Sequence, residues 1–139
     1  INLHNLLDSI KENLNNEKLI IKRDSELIEL QGRPTALKRS FENIIQNGLI
    51  YGSNVYVNII KGNKRALVII DDDGPGIPED QYKNVFKPFY RLDKSRSLNK
   101  SGVGLGLSIS EDIINSHGGS INLSESKYKG LQVKVSLPF

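Results

Sequence analysis

Apolar positions along the chain fall into a few clear rhythms. Leu3, Leu6, Leu7, Ile10 and Leu14 recur three and four apart, which predicts an amphipathic helix over residues 2–14. Lys18-Leu19-Ile20-Ile21-Lys22 and Leu27 to Leu30 are short runs that read as strands. Gly32-Arg33-Pro34 punctuates, and Pro34 suits the first turn of a helix, where its missing N–H is no loss. That helix, about 34–51, carries Leu37, Phe41, Ile44, Ile45 and Leu49 on one face. After a turn at Gly52-Ser53-Asn54, Val55, Val57 and Ile59 alternate as a strand does. Gly62-Asn63 supplies a hairpin turn, and Ala66 to Ile70 is apolar on both faces, which predicts a central strand. Pro78-Glu79-Asp80 opens a short helix reaching Phe86. Residues 87–103 are rich in Lys, Arg and Ser without any period, hence a long loop of the kind that usually serves function. Leu105 to His117 is helical and stops at Gly118-Gly119; Ile121-Asn122-Leu123 and Val133 to Leu137 form a final hairpin. Helices alternate with hairpins, without repeats or a consecutive βαβ series. The pattern implies an α+β domain, one mixed sheet with helices stacked on one face.

The 139 residues suit a single domain over the whole chain. With 37% apolar and 25% charged residues, the composition is that of an ordinary globular domain. No apolar run approaches the ~18 residues that span a bilayer, and the start lacks the basic-then-apolar order of a signal peptide. Without any Met, the chain reads as a piece of a longer protein. The absence of Cys removes disulfides and thiolate chemistry. Nineteen Lys and Arg against 16 Asp and Glu give +3, a mixed-charge surface and no nucleic-acid footprint; a phosphate-bearing small ligand fits equally well.

Three features carry chemistry. Asp71-Asp72-Asp73-Gly74-Pro75-Gly76-Ile77 follows the central strand. Acids and glycines there stop a buried ladder and form a tight turn whose backbone can approach a ligand, with a carboxylate able to accept from an amino group. An acidic surface turn explains the same run. Gly102-Val103-Gly104-Leu105-Gly106-Leu107 runs into a helix, where backbone N–H groups and the helix dipole favour an anion. It is no dinucleotide fingerprint, since a polar loop precedes it, and no Walker motif, since no Lys follows the last glycine. A hinge explains these glycines too. Asn43 and Asn47 stand four apart on helix 34–51, on one face and in a position that Asn disfavours, which suggests a polar edge towards a ligand or metal. Alone, such a pair is ordinarily solvent-exposed.

In combination these residues resemble one family. Asn43-Ile44-Ile45-Gln46-Asn47-Gly48-Leu49-Ile50-Tyr51-Gly52 resembles the N box of sensor histidine kinases. Asp72-Asp73-Gly74-Pro75-Gly76 is similar to their first glycine box, Phe86-Lys87-Pro88-Phe89 followed by Tyr90-Arg91 to their F box, and Gly102 to Leu107 to their second glycine box. Order and spacing match over nearly the whole chain. The resemblance implies the catalytic ATP-binding domain with the Bergerat fold, a two-layer sandwich of a mixed, mostly antiparallel sheet and about three helices. It implies that Asp72 accepts from the adenine amino group, Asn47 binds Mg²⁺, and Asn43 supports the phosphate–metal cluster. Gly74, Gly76 and Ile77 would pass beneath the base, and Tyr51 would lie against base or ribose. A lid over about 87–103, anchored by Phe86 and Phe89, would close on the triphosphate, with Gly102, Val103, Gly104, Leu105, Gly106 and Leu107 as hinge and cradle.

One position departs from the pattern. Many members carry Lys or Arg just before the N-box Tyr, and here it is Ile50. Arg91 and Arg96, ahead of Lys94 and Lys100, are the candidates to neutralise phosphate, because guanidinium grips it bidentately. His4 and His117 are the only histidines, and neither has the family's phosphoacceptor setting. His117 reads as a helix C-terminal residue favoured by the dipole. The acceptor His is therefore expected in a separate dimerisation domain, with a response regulator as onward partner. The domain itself is expected to be monomeric and cytoplasmic, in a homodimeric parent anchored in a bacterial inner membrane. Related gyrase- and MutL-type ATPases place a Glu base where Asn43 stands, and an amide cannot take a proton from water. A degenerate nucleotide-binding module and an anti-sigma-factor-type serine kinase are the alternatives.

Overall fold

The computed structural model describes residues 1–22, 27–88 and 106–139. Asn2 starts helix α1 (Leu3–Leu14) by accepting the Asn5 N–H at 3.1 Å, and Asn15 ends it in the left-handed conformation. Pro34 opens helix α2 (Pro34–Tyr51), and Gly106 opens helix α3 (Gly106–Ser116). Strands β1 (Leu19–Lys22), β2 (Val55–Lys61), β3 (Arg65–Asp72), β4 (Ser120–Glu125) and β5 (Leu131–Pro138) form one sheet in the order β1-β2-β3-β5-β4. β1 and β2 pair in parallel across the crossover that contains α2, and the other pairs are antiparallel.

Alternation sorts the sheet into two faces. Val55, Val57 and Ile59, then Ala66, Val68 and Ile70, then Val133, Val135 and Leu137 are buried, and so are Leu7, Ile10, Phe41, Ile45 and Ile114 of the helices. Each fully buried large side chain contributes about 1.5–3 kcal/mol. Tyr56, Asn58, Ile60, Leu67, Ile69 and Lys134 occupy the opposite face by register. The two-layer α+β architecture, with a mostly antiparallel sheet and, among the described residues, three α-helices, is the one expected, and β3 is central. α2 and α3 are joined by a reciprocal buried pair: Ser40 Oγ donates to the Ser110 carbonyl at 3.2 Å, and Ser110 Oγ to the Ser40 carbonyl at 2.9 Å.

Several local expectations are corrected. The helix expected from Pro78 to Phe86 is instead two 3₁₀ turns, Glu79–Gln81 and Asn84–Phe86, closed by bonds such as Tyr82 N–H to the Glu79 carbonyl. The strand expected at Leu27 to Leu30 joins no sheet: Leu3 N–H donates to the Ile28 carbonyl and Leu30 N–H to the Ile1 carbonyl, tying the start of α1 down. The central ladder does not stop before the acids but runs through Asp71 and Asp72, because their carboxylates find donors on the neighbouring strand β5, at Gln132 and Leu131. His117 follows the last turn of α3, as expected, and its ring has two partners there. Its Nδ1 is 2.8 Å from the Ile113 carbonyl and its Nε2 accepts the Arg33 backbone N–H at 3.1 Å, so Nε2 carries no proton and the ring joins the end of α3 to the start of α2. A methyl at Gly32 would lie 2.7 Å from that ring.

Candidate nucleotide-binding site

Three consecutive acids at the end of β3 take three different tasks, because side chains alternate along a strand. Asp71 is buried and accepts Gln132 Nε2–H at 3.1 Å. Asp72 points to the helix side, 9% exposed. Its Oδ1 accepts two backbone N–H groups, Gly74 at 2.9 Å and Leu131 at 3.1 Å, while Oδ2 accepts none from the described residues. Asp73 holds the turn after α2: Oδ1 accepts Ser53 N–H at 2.6 Å and Asn54 N–H at 2.8 Å, and Oδ2 accepts Asn54 Nδ2–H at 3.1 Å. Their acidities diverge accordingly. Burial pushes the Asp72 carboxyl above the usual carboxylate range, against the pull of the two N–H groups, with Asp73 and Asp71 adding to the rise. The Asn54 backbone N–H leads the causes that lower Asp73.

Glycines let the C-terminal half of α2 close on this turn. A methyl at Gly48 would stand 2.8 Å from Val55 Cγ2 and 3.4 Å from Asp72 Cβ, with Oδ2 at 3.6 Å. One at Gly74 would stand 2.8 Å from the Tyr51 carbonyl oxygen, and one at Gly52 would stand 2.8 Å from Asp73 Oδ1. Gly76 has φ +75° and rests against the Lys129 carbonyl of the β4–β5 loop. Gly130 has no room at all, since a methyl there would collide with Asp72 Oδ1 and the Asp72 carbonyl oxygen. The result is a buried carboxylate with one oxygen saturated and the other turned towards Gly48. Such an oxygen accepts from a ligand amino group.

Of the other expected site residues, Asn43, Asn47 and Tyr51 lie on the same C-terminal half of α2. Asn43 and Asn47 are half-buried on α2, and among the described residues the nearest atom to a methyl placed on Gly106 is Asn43 Cβ at 4.0 Å. Asn43 therefore sits at the N-terminus of α3. Two amide oxygens are hard donors of the kind Mg²⁺ accepts beside phosphates and water, so the residues present fit that ion. Tyr51 is half-buried, Ile77 packs on the core, and Leu107 is buried in it. A cleft of ≈ 300 Å³ lined by Asn13, Thr35, Lys38, Arg39, Glu42 and Asn43 runs from Asn43 towards the end of α1. Phe89, Arg91, Arg96, Gly102, Val103, Gly104 and Leu105, with Tyr90, Lys94 and Lys100, lie outside the described residues, as does nearly all of the expected lid.

Sequence reading missed Gly48, Gly130 and the Leu131 N–H. Gly48 left a signal, since glycine inside a helix costs about 1 kcal/mol relative to alanine and asks for a reason. Gly130 left none, because its partner is far away in the chain.

Known proteins match this chain in sequence and in fold. The family described as histidine kinase-, DNA gyrase B- and HSP90-like ATPase matches residues 32–139. The chain belongs to this family, and within it to the ATP-binding domains of sensor histidine kinases. The sensor histidine kinase GtrS of Pseudomonas aeruginosa is 38% identical over 107 residues, 77% of this chain and 22% of that protein. The chain thus spans under a quarter of that relative's length. Among solved structures, the histidine kinase domain of the E. coli osmosensor EnvZ is 31% identical at a TM-score of 0.75, covering 99% of this chain and 86% of that one. The mycobacterial sensor histidine kinase MprB shares the fold at a TM-score of 0.85, 22% identity, and 99% and 95% coverage.

Proposed function

We propose that the chain holds Mg²⁺-ATP and presents its γ-phosphoryl group to a histidine on the parent's own dimerisation and phosphoacceptor domain, for onward transfer to a response regulator. The observation that carries the reading is the half-used carboxylate of Asp72, saturated at Oδ1 and turned towards Gly48 at Oδ2. Asp72 takes the adenine amino group, and Gly74 and Gly76 bring the backbone under the base. Asn47 holds Mg²⁺ and Asn43 supports the phosphates beside the first turn of α3. Bound Mg²⁺-ATP supplies the transferable group and the charge neutralisation that phosphoryl transfer requires. With Ile50 at the usual cation position, Arg91 and Arg96 complete that neutralisation. Neither histidine accepts the phosphoryl group: the ring of His117 is engaged at both nitrogens. Asn43 cannot activate water, which disfavours hydrolysis.

No helix of the described residues is long and apolar enough to cross a membrane. The parent is a homodimer anchored in a bacterial inner membrane, with this domain monomeric on the cytoplasmic side and no nucleic acid among its partners. The test uses radiolabelled ATP with the chain alone, then with a separate phosphoacceptor domain, then with that domain's histidine replaced. Label should appear only in the second case and rise with acceptor concentration. Label on His4 or His117, or steady phosphate release by the chain alone, contradicts the reading.

A further inference from the structure

The β4–β5 loop reaches the candidate site from outside it. Ser126 N–H donates to the Gly130 carbonyl at 2.8 Å, Lys129 N–H to the Ser126 carbonyl at 3.0 Å, and Tyr128 N–H to Ser126 Oγ at 3.1 Å, with Ser126 itself buried. Lys129 stands at φ +79°, an unusual conformation for a residue with a side chain. The loop is thus internally braced, but these bonds tie it only to itself. It is fastened elsewhere by Tyr128, whose ring stacks on Tyr56 of β2 with centroids 4.1 Å apart and planes 19° apart. By register Tyr56 lies opposite Asp71, and Asp71 opposite Gln132, so the ring of Tyr128 crosses the end of β3 on the face away from the helices. On the helix side of that strand end, the same loop sets Gly130 against the Asp72 carbonyl and the Lys129 carbonyl against Gly76, and leads into Leu131, the first residue of β5, whose N–H donates to Asp72 Oδ1.

We infer that the Tyr56–Tyr128 stack is a positioning device for base recognition: it clamps the β4–β5 loop over the end of β3, so that Leu131 N–H fixes Asp72 Oδ1 and leaves Oδ2 as the acceptor for the adenine amino group. Neither tyrosine touches the nucleotide. The inference rests on the proposed role of Asp72 and goes beyond it, since it assigns base selectivity to a ring pair on the opposite face of the sheet. An aromatic pair suits the task, because it resists both separation and sliding.

The test is calorimetric titration of the 139-residue chain with ADP and with inosine diphosphate, which carries an oxygen in place of the amino group. Asp72→Asn comes first and should abolish the preference for ADP. If it does not, the role of Asp72 falls and the inference with it. If it does, Tyr128→Ala should weaken ADP roughly three- to tenfold, leave inosine diphosphate within about twofold, and so lower the ADP preference. Tyr56→Ala should act alike, the double variant should be no worse than either, and Tyr128→Phe should restore the ratio. Where Tyr128→Ala is too unstable to titrate, Tyr128→Leu keeps apolar bulk without ring stacking, and the same ratio is read. An unchanged ADP preference in a folded variant, or equal weakening of both nucleotides, overturns the inference.

Discussion

The two ends of the candidate site are built on different principles. At the base end, Asp72 is 9% exposed, its Oδ1 is held by two N–H groups, and neither Gly48 nor Gly130 has space for a methyl. At the phosphate end, Asn43 and Asn47 are half-buried amides on one helix, and among the described residues a methyl on Gly106 would meet only Asn43 Cβ, at 4.0 Å. The base end is paid for on folding: its carboxylate is buried and oriented before any ligand arrives. The amides at the other end carry no formal charge, and in the proposed function Mg²⁺ together with Arg91 and Arg96 supplies the neutralisation there. The contrast matches two chemical needs. A base is told apart by a fixed acceptor, since a mismatched ligand leaves a buried group unpaired at about 1–3 kcal/mol. A triphosphate that must give up its terminal group calls for orientation and neutralisation instead.

Substitutions at the two ends should differ sharply. Gly130→Ala should have the largest effect, because the new methyl meets strand backbone and the Asp72 carboxylate. A loss of about 1–3 kcal/mol or more is expected in thermal or denaturant unfolding, with nucleotide binding lost even where the fold survives. A stable variant that binds ADP normally would show the base end to be looser than described.

The next effect is one of pH. Burial raises the Asp72 pKa above the ordinary 3.8. Because Oδ1 already carries two N–H bonds, the proton goes to Oδ2. Affinity for ADP should therefore fall as pH drops through the raised value, at a higher pH than an ordinary aspartate would give. The stability of the nucleotide-free chain moves the other way. A raised folded-state pKa contributes stability that is fully present below the unfolded value and lost as pH rises through the folded one. Asp73, held low by Asn54, has the opposite sign, so its contribution is lost as pH falls. Unfolding and ADP titrations from pH 7.5 down past the ordinary 3.8, natural chain minus Asp72→Asn, isolate the contribution of Asp72. A flat difference in both would remove the burial account of Asp72.

The smallest effect belongs to the phosphate end. Among the described residues Gly106→Ala meets only Asn43 Cβ, at 4.0 Å, and it should leave unfolding within about ±0.5 kcal/mol. A large destabilisation there would mean that the two ends are equally tight.

The same contrast explains what could be read from the sequence. Periodicity located α2 with both ends and the central position of β3, since burial there involves whole faces of an element. It failed at residues 78–86, where i to i+3 bonds replaced a helix, and at residues 27–30, where pairing was with the chain's own start. Motif resemblance supplied Asp72, Asn43, Asn47 and Gly74, because those residues lie within short runs. Gly130 and the Leu131 N–H were invisible, because their partner Asp72 is 59 positions from Leu131 and only the sheet brings them together. The place of His117 at a helix end was legible, but its second partner was not, because the N–H it accepts lies 84 positions away.

The most direct measurement is a parallel titration of this chain with ATP and GTP in the presence of Mg²⁺. Guanine presents an oxygen where adenine presents the amino group, so a base end built around Asp72 Oδ2 should favour ATP by at least about tenfold, the equivalent of ~1.4 kcal/mol. Equal affinities for the two nucleotides would contradict the account at its centre.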